Sequence, residues 1–228
     1  GKVMTAGIKA LSPSLDTMGC FGRSVGDVAL GVAAMSDDLK LAEVAELPNK
    51  PCIAICKTND WSLAGKETAG ALALARFSAE AIAKGAVRDI DLPPACNELT
   101  ALQTRIMSYE MARSLIFEYQ HFANELSSVL SQQLADGFKI DYEQYQKDMQ
   151  KAKQARFSID QLFQNEVDIV IAPSATGEAP KAKDGTGNPV FCRGWTLLGL
   201  PSVNLNVSSG LNGLPIGVQL IAGPGKDH

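Results

Sequence analysis

Pro51-Cys52-Ile53-Ala54-Ile55-Cys56 is an apolar run of strand length opened by a proline. Behind it, Leu72, Ala75, Ala79 and Ile82 recur at helical spacing, and Gly85 supplies a left-handed stop. Ala86-Val87-Arg88-Asp89-Ile90 then reads as a second strand, closed by Pro93-Pro94. Strand, helix and strand in this order make a βαβ crossover, which joins parallel neighbours in a sheet that helices cover.

Working outward, residues 1–22 mix small, polar and proline residues without period, so they read as loop or ligand-facing backbone. Ser24 and Asp27 have capping-box spacing ahead of Val25, Val28, Val32 and Met35, and the helix they start ends near Asp37. Residues 97–165 form the helical section. Leu102, Ile106 and Tyr109 make one stripe, and Asp141 with Gln144 resembles a second capping box ahead of Tyr142, Tyr145, Met149, Ala152, Ile159 and Leu162. Core packing is the expected role of its aromatics. Strand patterns return at Ile169–Ala172, Ser202–Val207 and Ile216–Ala222, and the long Gly/Pro-rich segment 173–189 follows the first of them. Long loops at strand ends are where α/β proteins keep their ligands.

The chain has 228 residues, 46% hydrophobic and 20% charged, with a net charge of −4. That length fits one domain, 1–228, and the composition excludes a disordered chain. A mildly acidic protein without clustered Lys and Arg is a poor match to a phosphate backbone, so no nucleic-acid partner is expected. No apolar stretch is long enough to cross a bilayer and no signal-peptide pattern is seen, so the expectation is a cytoplasmic protein without a membrane partner. Cys20, Cys52, Cys56, Cys96 and Cys192 are odd in number and irregular in spacing, which reads as reduced thiols. Cys52 and Cys56 would lie roughly 13 Å apart along a strand, beyond bridging distance, and both are expected in the core.

Several motifs fail on inspection. Gly65-Lys66 is followed by Glu67, and Asp60 stands where a phosphate-binding loop needs its first glycine. Gly185-Thr186-Gly187 does not extend to a dinucleotide fingerprint. His121 and His228 are the two histidines, too few for a zinc site or an ordinary Ser-His-Asp triad. Asn206-Val207-Ser208 has the glycosylation spacing, but falls in a strand expected to be buried.

Gly1-Lys2-Val3-Met4-Thr5-Ala6-Gly7, then Leu11-Ser12-Pro13-Ser14-Leu15-Asp16-Thr17-Met18-Gly19, then Arg23-Ser24-Val25 with Asp27 resembles the amidase signature family. Lys2 and Gly22 stand where that pattern has Arg and Ala. Asp168-Ile169-Val170-Ile171-Ala172-Pro173-Ser174-Ala175, Trp195-Thr196-Leu197-Leu198-Gly199-Leu200-Pro201 and Gly213-Leu214-Pro215-Ile216-Gly217-Val218-Gln219-Leu220-Ile221 resemble the family's late segments, in order. The resemblance implies an α/β fold with a mixed twisted β-sheet covered by helices on both faces, here incomplete on its amino-terminal side.

It also implies hydrolysis of a carboxamide to a carboxylate and ammonia or an amine. The family's nucleophilic serine is activated through a second serine on a cis peptide and a neutral lysine. Those motifs precede Gly1 in such proteins, so no catalytic residue is expected in this chain and the chain alone is expected to be inactive. Neither Lys57 nor Ser12 or Ser14 matches them. What remains is substrate binding: Asp16 and Thr17 in a loop that packs beside the family's catalytic serines, Thr176 and Gly177 after a strand's carboxyl end, and Trp195. Each also has a purely structural reading, as turn support, loop geometry or core.

The implied partner is a small-molecule amide, with no cofactor and no metal. Sheet edge and apolar surface left open favour association, so a homo-oligomer is possible. Two alternatives remain. One is a glutamine-dependent tRNA amidotransferase A-type subunit, although its Ser-Leu-Asp block usually continues with Gln where Thr17 stands. The other is a non-catalytic scaffold retaining the fold.

Overall fold

A computed structural model describes residues 2–43, 51–83 and 87–228. The chain divides into two compact units, one of Gly1–Glu46, Ala101–Lys153 and His228, the other of Leu47–Thr100 and Gln154–Asp227.

The second unit holds the sheet. β1 (Ile53–Ile55), β2 (Arg88–Asp89), β3 (Ile169–Pro173), β4 (Ser202–Ser209) and β5 (Pro215–Ala222) lie in the order β2-β1-β3-β5-β4. β1 is parallel to β2 and β3, as the crossover requires, while β5 runs antiparallel to both β3 and β4. The sheet is therefore mixed. α2 (Lys66–Ala83) is the crossover helix: Leu72, Ala75 and Ala79 pack on Ile53, Ile55, Ile171, Ile216 and Val218. Strand alternation sends Gln219 to the opposite face, where its amide donates to Pro173 O at 2.7 Å and Phe191 O at 2.8 Å. Phe191 belongs to α7 (Val190–Leu198), and Phe163 of α6 (Tyr142–Asn165) packs against Gly223 beyond the end of β5. Both faces thus carry helices.

The first unit contains α1 (Val25–Ser36), α4 (Ile116–His121), α5 (Ser128–Phe138) and most of α3 (Leu99–Ser114). The predicted capping box of α1 is formed in both directions between Ser24 and Asp27, and Asp37 closes the helix at φ 57°. Met111 and Ala112 of α3 pack with Leu134 of α5. The two backbones come so close at Gly137 that a Cβ there would collide with Ser108 O. Before α6, Asp141 accepts the Gln144 N–H at 2.7 Å, the expected cap.

Several expectations change. The strand over 52–56 is shorter, and Cys52 is exposed, its N–H held by Asp168 outside β1, whereas Cys56 is buried. All five cysteines are free, and burial pushes the thiols of Cys56 and Cys96 up to about 11. Ile82 and Tyr142, assigned to buried stripes, are 56% and 64% exposed; Ile82 lies in the last turn of α2 and Tyr142 is the first residue of α6. Asn206 is exposed, because β4 is an edge strand rather than a buried one. Gly85 and Ala86 lie outside the described residues. Among the described residues no helix is long and apolar enough to cross a membrane.

Candidate functional site

In the first unit, residues 11–17 form a loop tied to itself and to α3. The Asp16 carboxylate accepts the Leu11 N–H at 2.8 Å and the Ser12 N–H at 3.1 Å, while Ser12 O accepts from Leu15 and Asp16, both at 2.8 Å. A short carboxylate reaching back four and five residues thus replaces backbone partners that the turn leaves missing. Glu110 of α3 anchors the loop from below. Its Oε2 accepts the Ser12 hydroxyl at 2.7 Å and the Ser14 N–H at 3.0 Å, and its Oε1 accepts the Tyr145 hydroxyl at 2.7 Å.

Burial works to raise the Glu110 carboxyl, but the donors from Ser14, Ser12 and Tyr145 outweigh it and hold the group below the usual glutamate range. The same burial and the carboxylate beside it push the Tyr145 hydroxyl up to about 12. Tyr145 stacks on Tyr109 with ring centroids 4.1 Å apart, and the Arg113 guanidinium covers Tyr109 at 3.3 Å. A carboxylate satisfied in this way is a weak base, and Ser12 is only 1% exposed. The Ser12–Glu110 pair ties the loop to α3. Thr17, next along, is exposed.

In the second unit, residues 174–178 leave the carboxyl end of β3 and are held on three sides. Thr176 O accepts the Gly65 N–H at 2.7 Å and Ala175 O accepts the Thr68 hydroxyl at 3.0 Å, both from the start of α2. The Cys192 thiol of α7 lies 3.4 Å from Ser174 O. Glu178 accepts the backbone N–H groups of Asn212 and Leu214 at 3.0 and 2.9 Å, and the Asn212 side-chain amide at 2.6 Å. The Asn212 amide, followed by the two backbone donors, draws the Glu178 carboxyl below its usual range. The hairpin turn fits over it only because Gly210 has no side chain: a Cβ there would strike the carboxylate.

Thr176 and Gly177 are half-buried, and a Cβ at Gly177 would meet nothing within 4 Å, so the backbone there borders open space. Trp195 is 3% exposed on α7, inside the core of its unit with Phe191. Lys57 is exposed, its ammonium 5.4 Å from the centroid of the Trp61 ring.

The structure thus puts Asp16 and Thr17 in one clasped loop, Thr176 and Gly177 in another, and Trp195 on the buried face of α7. Sequence reasoning missed the groups that do the holding. Glu110 sits inside a buried helical stripe and Gln219 inside an apolar strand, so an isolated polar residue in an apolar pattern was the available signal. Glu178 gave none, because its partners lie on a hairpin far along the chain.

The amidase family pattern matches residues 1–228. The chain belongs to the amidase family. Among curated relatives, the A-type subunit of the chloroplastic/mitochondrial glutamyl-tRNA(Gln) amidotransferase of Zea mays is 25% identical over 279 residues, covering 98% of this chain and 50% of that protein. Its counterpart from Sorghum bicolor is also 25% identical, with 51% of its length covered. The chain spans about half the length of both. A solved amidase superposes on all of this amidase chain with a TM-score of 0.84 at 22% identity, over 53% of its own length. The allophanate hydrolase of Kluyveromyces lactis gives a TM-score of 0.76 at 17% identity, covering 100% of this chain and 40% of its own. These two likenesses establish the shared fold.

Proposed function

We propose that the chain is the substrate-facing part of an amidohydrolase that converts a small carboxamide and water to a carboxylate and ammonia or an amine. The nucleophilic serine, the cis-peptide serine and the neutral lysine of the Ser-cisSer-Lys mechanism are supplied by polypeptide outside residues 1–228. On this reading both units belong to one amidase domain, and the protein works in the cytoplasm. Substrate-binding roles are proposed for Asp16 and Thr17 of loop 11–17 within the first unit and, separately, for Thr176 and Gly177 of loop 174–178 with Trp195 within the second. The observation that carries the reading is the family match over the whole chain, combined with two loops whose own carboxylates are fully engaged in holding backbone. Such loops are pre-organised, which is what a site needs to orient a small amide.

Because both curated relatives belong to amidotransferases, a second reading has support: release of ammonia from glutamine for transfer to a tRNA-bound amino acid. One assay separates these readings. The purified 228-residue chain and the complete gene product are incubated with a panel of aliphatic, aromatic and ureido amides and with glutamine, and ammonia is measured. The expected result is release by the complete product on a small amide and none by the 228-residue chain. Turnover by the short chain overturns the assignment of catalysis to outside polypeptide, and activity confined to glutamine favours the amidotransferase.

A further inference from the structure

Four consecutive carbonyls at the carboxyl end of β3 are each held from elsewhere in the second unit. Pro173 O accepts from the Gln219 amide at 2.7 Å, and Ser174 O faces the Cys192 thiol at 3.4 Å. Ala175 O accepts from the Thr68 hydroxyl at 3.0 Å, and Thr176 O from the Gly65 N–H at 2.7 Å. A surface loop can leave its carbonyls to water, but this one gives four in a row to protein donors.

Two of those donors are polar side chains at buried positions. Gln219 is 5% exposed within β5, and Thr68 is 1% exposed on α2. Gln219 uses both amide hydrogens, the second on Phe191 O at 2.8 Å, so it ties the end of β3 to α7. Thr68 ties the loop to α2 instead. Leucine or valine would fill either place without a polar group to satisfy, so what these two side chains add is direction. A trans peptide is planar, and a carbonyl turned into the protein turns the next residue's N–H the opposite way. The held carbonyls thus fix the directions of the N–H groups of Ser174, Ala175, Thr176 and Gly177.

We propose that Gln219 and Thr68 are positioning residues for the substrate: by holding the Pro173 and Ala175 carbonyls they fix loop 174–178 in the arrangement in which Thr176 and Gly177 meet the amide. Neither touches the reacting atoms. N–H groups turned away from the protein suit the carbonyl oxygen of a carboxamide, and a loop held this way loses little freedom on binding one. The inference rests on the reaction proposed above, and the test separates the two.

Thr68→Val, Thr68→Ser and Gln219→Met are made in the complete gene product and assayed on whichever of propionamide, benzamide, phenylurea and glutamine the wild type turns over fastest. Val and Met keep the bulk and lose the donor, whereas Ser keeps the hydroxyl. Thr68→Val and Gln219→Met are each expected to raise KM at least about five-fold while changing kcat less than about two-fold. Amide exchange at Gly65, whose N–H binds Thr176 O, should accelerate several-fold in both, with Leu15 and Asp16 of the first unit unchanged. Thr68→Ser should stay near wild type in both measurements. Unchanged exchange at Gly65, faster exchange there with KM unchanged, a loss confined to kcat, or Thr68→Ser as impaired as Thr68→Val overturns the positioning role. Acceleration that extends to Leu15 and Asp16 marks general unfolding and overturns it too. A wild type that turns over none of the four compounds defeats the reaction itself, and the positioning role falls with it.

Discussion

Loop 11–17 and loop 174–178 are each closed by a glutamate that accepts several donors, yet the two carboxylates work in different media. Glu110 is 8% exposed and takes its bonds in a region where an unmet donor has no water to turn to. Glu178 takes a similar set at the surface, where water competes for every partner. The same bonding pattern therefore sets stability in the first loop and geometry in the second.

Glu110→Ala is the sharpest break. It removes a charged acceptor from the buried Ser12 hydroxyl and from the part-buried Ser14 N–H and Tyr145 hydroxyl, and leaves these donors without that partner. A loss of about 3 kcal/mol of unfolding free energy is expected, less than the gross sum because the desolvated charge leaves too. Urea denaturation reads it directly. A change below about 0.5 kcal/mol, the level of an ordinary surface substitution, would show that the Glu110 cluster does not hold the unit together.

Acid sharpens the same contrast. The folded Glu110 carboxyl lies below its unfolded value, so its contribution is complete above the usual glutamate range and is lost as pH falls through the folded pKa. The stability difference between wild type and Glu110→Gln should be largest near neutrality and shrink on acidification. A constant or growing difference would mean that the charge is not what Ser12 and Ser14 bind. High pH gives no equivalent effect in the ordinary working range, since Tyr145 is pushed up to about 12.

These clasps also mark how far a sequence can be read. The crossover, the Ser24–Asp27 box and the late strands were legible because each rests on local spacing or on strand-length hydrophobic runs. The loops were placed correctly as loops. What holds them was not legible, because Ser12 and Glu110 are brought together by tertiary packing, as are Glu178 and Asn212. Exposure of Ile82 and Asn206 was hidden for a related reason: periodicity identifies a face, while the neighbours that would cover it are set by topology. Trp195 illustrates the reverse case, since its apolar surroundings in sequence already fit the buried position it takes.

Glu178→Gln gives the smallest and most local effect. Glutamine keeps one oxygen that can accept from Asn212 or Leu214 but loses the charge and the second acceptor, so bonds persist in weakened form. Because the carboxylate sits at the surface, global unfolding should be unchanged within error, in contrast to Glu110→Ala. Amide hydrogen exchange at Asn212 and Leu214 should instead accelerate several-fold, and loop 174–178 should loosen with it, because Glu178 is its link to the hairpin. Thr176 O would keep its bond from Gly65, which confines the loosening to the end of the loop nearest Glu178. Unchanged exchange at both amides would place the control of this loop with α2 and α7, and a fall in global stability as large as that of Glu110→Ala would erase the distinction between the two clasps.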